Sequence, residues 1–221
     1  FVLRAKVDVQ IAADLQPAWV GTQPFSTTLA TEGYDATRTM SAVPQAGATE
    51  LVSFDYAPGR QVIAAPGAAL RAMTGLSLSK SLPGIEQEWW ATDIVAGLPQ
   101  VFRASSEAFV PQMLNLDLLD AISFAKGCYT GQEIVARTQH LGRIKRRTFR
   151  YQLPAGPTPA PLAGLMLEGN KVAEVVMSAP RADGVELLAV TTLEAKGRTL
   201  RAEDGREAQP LAMPYEIGGN D

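Results

Sequence analysis

The chain has 221 residues, a net charge of -3 and 46% hydrophobic side chains. That is enough apolar material for one large domain or two to three small ones, and the slightly acidic balance argues against a generic nucleic-acid coat, which needs many cations to neutralise phosphates. A single cysteine excludes an internal disulfide and any metal or iron–sulfur site built from several cysteines of one chain.

The opening "FVLRAKVDVQ" alternates apolar and polar side chains, with Ala5, Val7, Val9 and Ile11 on one face of an expected half-buried strand. It lacks the charged and apolar regions of an export signal, and no stretch approaches eighteen consecutive apolar residues, so a cytoplasmic protein with no membrane span is expected. Because the chain starts on Phe1 inside this strand-like pattern, further N-terminal sequence is expected in the natural protein. "LVSFDYAPGRQVIAA" (51–65) reads as a hairpin, with Pro58 and Gly59 suited to the centre of a type II turn. A short helix is expected over Ala68–Thr74, stopped by Gly75.

"IEQEWWATDIVAGLPQ" (85–100) reads as a helix ended by Gly97 and Pro99, with Trp89 and Trp90 on different faces. The next stretch, "FVPQMLNLDLLDAISF" (109–124), is apolar enough to be expected mostly buried. After Arg143 the period becomes two, the proline-rich "LPAGPTPAPLAG" (153–164) forms a loop, and hairpins are expected around Gly169-Asn170 and around Lys196-Gly197-Arg198. These elements define an α+β chain ending in a small β-barrel.

The only cysteine lies in "FAKGCYTGQEIVAR" (124–137). Thr130-Gly131-Gln132-Glu133 has the form of a capping box, which places a helix start at Thr130 and Cys128 just outside it, where free amides and the helix dipole favour a thiolate. Lys126 and Arg137 add positive charge, and Gly127 and Gly131 leave room for close approach of backbone or ligand. Against this stands the plain alternative that a free cysteine packs as a small buried hydrophobe. His140, the only histidine, would lie about 15 Å along the helix from the cap, so a Cys–His catalytic pair is not expected. The following run, with Arg143, Lys145, Arg146, Arg147 and Arg150, reads either as a solvated face or as a landing surface for a polyanion.

Lys126-Gly127-Cys128-Tyr129-Thr130-Gly131-Gln132-Glu133 with Ala136-Arg137 resembles the K-G-C-[FY]-x-G-Q-E-x-x-[AS]-R signature of the YgfZ family, folate-binding relatives of the glycine-cleavage T-protein. "GLPQVFRASSEAFVPQMLNLDLLDAISF" and "PLAMPYEI" resemble the stretches that flank that signature and close the family's chains. The resemblance implies a T-protein-like folate-binding fold, with ferredoxin-like α/β domains and a C-terminal barrel around a folate channel. Residues 1–82 would form the middle domain, 83–145 the remainder of the first and 146–221 the barrel.

The resemblance also implies roles for single residues. Cys128 would be the reactive thiol and Lys126 its basic neighbour, with Trp89, Tyr129, Gln132, Glu133 and Arg137 around a tetrahydrofolate or related folate. No resident metal is implied. The family's function points to support of 4Fe-4S cluster assembly or repair, with iron–sulfur client or assembly proteins as partners and a link to tRNA modification. Two other functions compete: a tetrahydrofolate-dependent aminomethyl or one-carbon transferase, and an RNA-binding module acting through 137–150. The sequence departs from the T-protein at Val95, which stands where that enzyme has a glutamate; an apolar side chain cannot accept from pterin N–H groups.

Overall fold

A computed structural model describes residues 15–20, 41–42, 52–57, 60–66, 85–124, 127, 131–140 and 144–218. The chain divides into two compact units, one over 4–83 and the other over 84–221. In the first, β1 (Leu15–Val20), β2 (Ser41–Ala42), β3 (Val52–Ala57) and β4 (Arg60–Pro66) form an antiparallel sheet in the order β1-β4-β3-β2. The expected 51–65 hairpin is the β3–β4 pair, from Val52 opposite Ala64 to Ala57 opposite Arg60, with a shift of register between Asp55 and Ala57. Its turn at Pro58-Gly59, the expected strand over Ala5–Ile11 and the expected helix over Ala68–Thr74 lie outside the described residues. Nothing in the sequence singled out β1, because Pro17 removes a ladder donor. Among the described residues the strand lies at the edge of the sheet, paired with β4 only, where a missing donor is tolerated.

The second unit begins with α1 (Ile85–Val95). The helix stops as expected, and the reason is local: Gly97 takes a left-handed φ of 66°. Its amide donates to the Ile94 carbonyl at 3.1 Å, while the Leu98 amide donates to Asp93 at 2.9 Å. This pair of bonds is a Schellman cap. Two short 3-10 turns follow, Arg103–Ser105 and Pro111–Leu114. Burial of 109–124 differs from expectation: Gln112, Leu114 and Asn115 are buried, whereas Leu118 and Phe124 are exposed. Left-handed Asn115 (φ 60°) and Asp120 (φ 53°) keep the segment in turns, so no continuous apolar face forms.

After α2 (Glu133–His140), β5 (Arg146–Leu153), β6 (Gly164–Leu167), β7 (Asn170–Arg181), β8 (Gly184–Thr192), β9 (Leu200–Ala202) and β10 (Glu207–Leu211) close into an antiparallel barrel in the order β10-β5-β8-β7-β6-β9. The β6–β7 hairpin turns on Glu168 (φ 51°) and Gly169 (φ 84°), two positive φ values that match the twist of the strands. No hairpin forms around Lys196–Arg198. β8 and β9 are not neighbours, since a 3-10 turn at Leu193–Ala195 carries the chain across to pair β9 with β6 and β10.

Alternation places Tyr151, Leu153, Val175, Val185, Leu187 and Leu200 in the barrel interior. A bulge in β7 at Val176, between the pairs Val175–Ala189 and Met177–Leu188, reverses the phase of that strand. Met177 and Ala179 therefore face outward with Leu188 and Val190, and there they pack against Ala91 and Ile94 of α1. Both faces of β8 are thus covered, which explains why Gly184 to Thr191 is buried throughout.

Candidate functional site

Of the expected site residues, Lys126, Cys128 and Tyr129 lie outside the described residues, as does Thr130. Gln132, Glu133 and Arg137 belong to the start of α2, Gln132 half-buried and the other two exposed. Trp89 sits half-buried on α1, and its carbonyl accepts from the Thr92 hydroxyl at 2.7 Å. Its neighbour Trp90 is a packing residue, edge-on to Phe102 at 5.5 Å and set against the α1–barrel cluster.

The helix start is one correction. The Gln132 carbonyl accepts from the Ala136 amide at 2.9 Å, and the helix runs from Glu133. Gly131, with φ 90°, cannot join a right-handed helix, so α2 does not reach back to Thr130. Glu133 is therefore the first helical residue, not the third as the expected capping box would have it, and Thr130 itself lies outside the described residues. Among the described residues nothing lies within 4 Å of a Cβ added at Gly127 or Gly131, so Gly131 serves its backbone angle.

α2 is held from below. The buried Gln112 side chain donates to the Val135 carbonyl at 2.8 Å, tying the motif helix to the Pro111–Leu114 turn. That turn is locked in its own right. Arg147 of β5 donates to the Gln112 carbonyl at 2.9 Å and to both carboxylate oxygens of Asp117, at 2.6 and 2.9 Å. The Thr148 hydroxyl donates to Met113, and Asn115 Nδ2 donates to the Thr148 carbonyl, each at 2.8 Å. Asn115 also donates to the Tyr215 hydroxyl at 3.3 Å, and that hydroxyl donates to the Gly97 carbonyl at 2.7 Å. Burial pushes the Tyr215 phenol above its ordinary pKa, against the lowering effect of the Asn115 bond, so it stays a donor at neutral pH.

This polar hub joins the end of α1, the Pro111–Leu114 turn, α2, the first barrel strand and the C-terminal segment. Gln112, Asn115, Asp117 and Tyr215 were not candidates from sequence, and Arg147 was one only as part of the basic run. A signal existed in "PQMLNLDLL", where single polar residues interrupt an apolar run, because a polar group buried among apolar ones must be hydrogen-bonded.

The arginine run is a second correction, since it is neither a solvated face nor an open landing surface at three of its members. Arg147 is buried against Asp117. Arg146 pairs with Glu174 at 2.9 Å, and Arg150 with buried Glu186 at 2.8 Å. A bond from Lys171, aided by Arg146, holds the Glu174 carboxyl below its ordinary pKa despite desolvation. Arg150 finds its acid on the neighbouring strand β8, Arg146 reaches past β8 to Glu174 on β7, and Arg147, on the opposite face of β5 from both, meets Asp117 beyond the Pro111–Leu114 turn. Arg137 and Lys145 remain exposed.

A closed barrel, a helix laid on its outer face and a buried hub that clamps a motif helix define a mixed α+β protein in which one short segment is held by polar contacts from three elements. No family model matches the chain. It is 31% identical to the tRNA-modifying protein YgfZ of Serratia proteamaculans (strain 568), across 94% of this chain and 66% of that protein. The chain belongs to the YgfZ family and spans just under two thirds of the length of this relative. Among the described residues no helix is long and apolar enough to cross a membrane.

Proposed function

We infer that this chain is the larger part of a cytoplasmic, folate-binding accessory protein that supports assembly or repair of 4Fe-4S clusters in client enzymes, among them enzymes that modify tRNA. The observation that carries this reading is "KGCYTGQE" within a chain of the YgfZ family, whose relative is named as tRNA-modifying. In this reading the fold follows the T-protein plan, with 1–82 as the middle α/β domain, 83–145 as the remainder of the first and 146–221 as the barrel. Cys128 is the reactive thiol, assisted by Lys126. As the only cysteine of these 221 residues, it supplies one nucleophile or one cluster ligand, and any other ligands come from outside them.

The described residues fit a folate in kind. Trp89 offers a half-buried indole face for a flat ring, exposed Glu133 offers a carboxylate to pterin N–H groups, and exposed Arg137 offers a cation to a glutamate carboxylate. Gln132 and Tyr129 complete the proposed set. Bound tetrahydrofolate would act as ligand or one-carbon acceptor beside the thiol.

A transferase of the T-protein kind is less well supported, because Val95, at the end of α1, provides no carboxylate for the pterin. An RNA-binding module is weakened by the pairing of Arg146, Arg147 and Arg150 with acids of the same unit.

Folate binding is tested by titrating the complete natural protein with tetrahydrofolate while following tryptophan fluorescence. Saturable quenching is expected, with Trp89→Phe weakening affinity roughly tenfold, as loss of one stacking platform implies. Unchanged affinity in Trp89→Phe would remove Trp89 from the site.

A further inference from the structure

We propose that the mouth of the barrel beside β5 is a binding site for a small planar aromatic carboxylate, a reading independent of folate binding. The cavity arises from the barrel's own register. β10 pairs with β5 only from Gln209 opposite Gln152 to Leu211 opposite Arg150, so the β5 edge before Arg150 has no β10 partner. The segment after Leu211 crosses that gap without pairing and leaves a cavity of about 230 Å³. Phe149 and Tyr215 give it aromatic walls, and Met213 and Ile217 add apolar ones.

Charge at the rim selects the ligand. Arg150 is drawn to Glu186 at 2.8 Å, a carboxylate it shares with Arg181 at 3.5 Å, whereas no carboxylate among the described residues pairs with Lys196. The Lys196 Nζ instead lies 6.0 Å from the centroid of the Phe149 ring. Its backbone is fixed, since the Lys196 amide donates to Leu193, whose own amide donates to Lys145 at 2.9 Å. One uncompensated cation above an aromatic wall suits a monoanion that carries its own ring. A phosphate dianion would call for an arginine fork or a nest of amides. The volume is below that of ordinary ligand pockets, about 300 Å³ upward, which restricts the ligand to a single ring.

The site is tested on the complete natural protein by calorimetric titration with benzoate, and with benzamide as its neutral isostere. Benzoate is expected to bind saturably with a Kd of about 1 mM, the range open to so few atoms. Lys196→Met should weaken benzoate about 5- to 10-fold and leave benzamide unchanged, as loss of one partly exposed cation implies. Ala212→Trp, at an exposed position on the rim, should abolish binding of both without changing the melting temperature. Absence of saturable benzoate binding, equal benzoate affinity in wild type and Lys196→Met, or undiminished binding in Ala212→Trp would each overturn the proposal.

Discussion

Replacing Arg147 with methionine is expected to destabilise the barrel unit by about 3–5 kcal/mol, measured by urea denaturation. The guanidinium is 7% exposed and the Asp117 carboxylate 10%, so the pair is almost dry. Methionine fills most of the space but leaves Asp117 as a buried charge without its two bonds and the Gln112 carbonyl without one of its donors. The uncompensated charge dominates the cost, because two charges are expensive to desolvate and one left alone keeps that expense without the attraction. Arg147→Met combined with Asp117→Leu should therefore recover much of the loss, as it removes both charges together. Equal destabilisation in the single and double variants would show that packing, not charge, is what Arg147 supplies.

Gly97→Ala should be nearly as damaging, at about 2–4 kcal/mol. Two effects combine. A φ of 66° is strained for alanine by about 1–2 kcal/mol, and a Cβ at this position would stand 2.6 Å from Cε1 of Tyr215 and 3.0 Å from Cε of Met213. Tyr215 must then move, which breaks its bond to the Gly97 carbonyl and disturbs Asn115, a further loss of about 1 kcal/mol. Gly131→Ala is the internal control. With φ 90° and no described residue within 4 Å of the added atom, it should show the backbone strain alone and a smaller loss in the same denaturation measurement. Equal losses at the two positions would remove the steric part of this account.

The barrel was legible in the sequence because β5 alternates cleanly, and because the proline loop and Gly169 mark the breaks between the strands after it. Its order was not. Two Asp-Gly turn signals mark the hairpins that form, Asp183-Gly184 where the chain enters β8 and Asp204-Gly205 between β9 and β10, and they outrank the Lys196-Gly197-Arg198 turn that reads as a hairpin. Alternation alone also misses the bulge at Val176, since one extra residue reverses which side chains face the core. The end of α1 was plain from Gly97, but the start of α2 was not, because the capping box ignores the backbone angle that Gly131 adopts.

The candidate site was visible chiefly as a string of residue types. The hub beneath α2 depends on pairs far apart in sequence, such as Asn115 with Tyr215 and Arg147 with Asp117, and no local period marks such pairs. The arginine run shows the converse. A cluster of charges in sequence is dispersed by a strand onto partners 28 residues away, for Arg146 with Glu174, and 36 residues away, for Arg150 with Glu186. Those partners come within reach only once the barrel closes.

The role proposed for Cys128 is that of a thiol in iron–sulfur support. It is tested most directly by expressing the complete natural protein with Cys128→Ala in a strain lacking the wild type and measuring the activity of a 4Fe-4S enzyme that modifies tRNA. The account predicts that client activity stays at the level of the deletion strain although the variant accumulates as well as wild type. Wild-type client activity in that strain would contradict it.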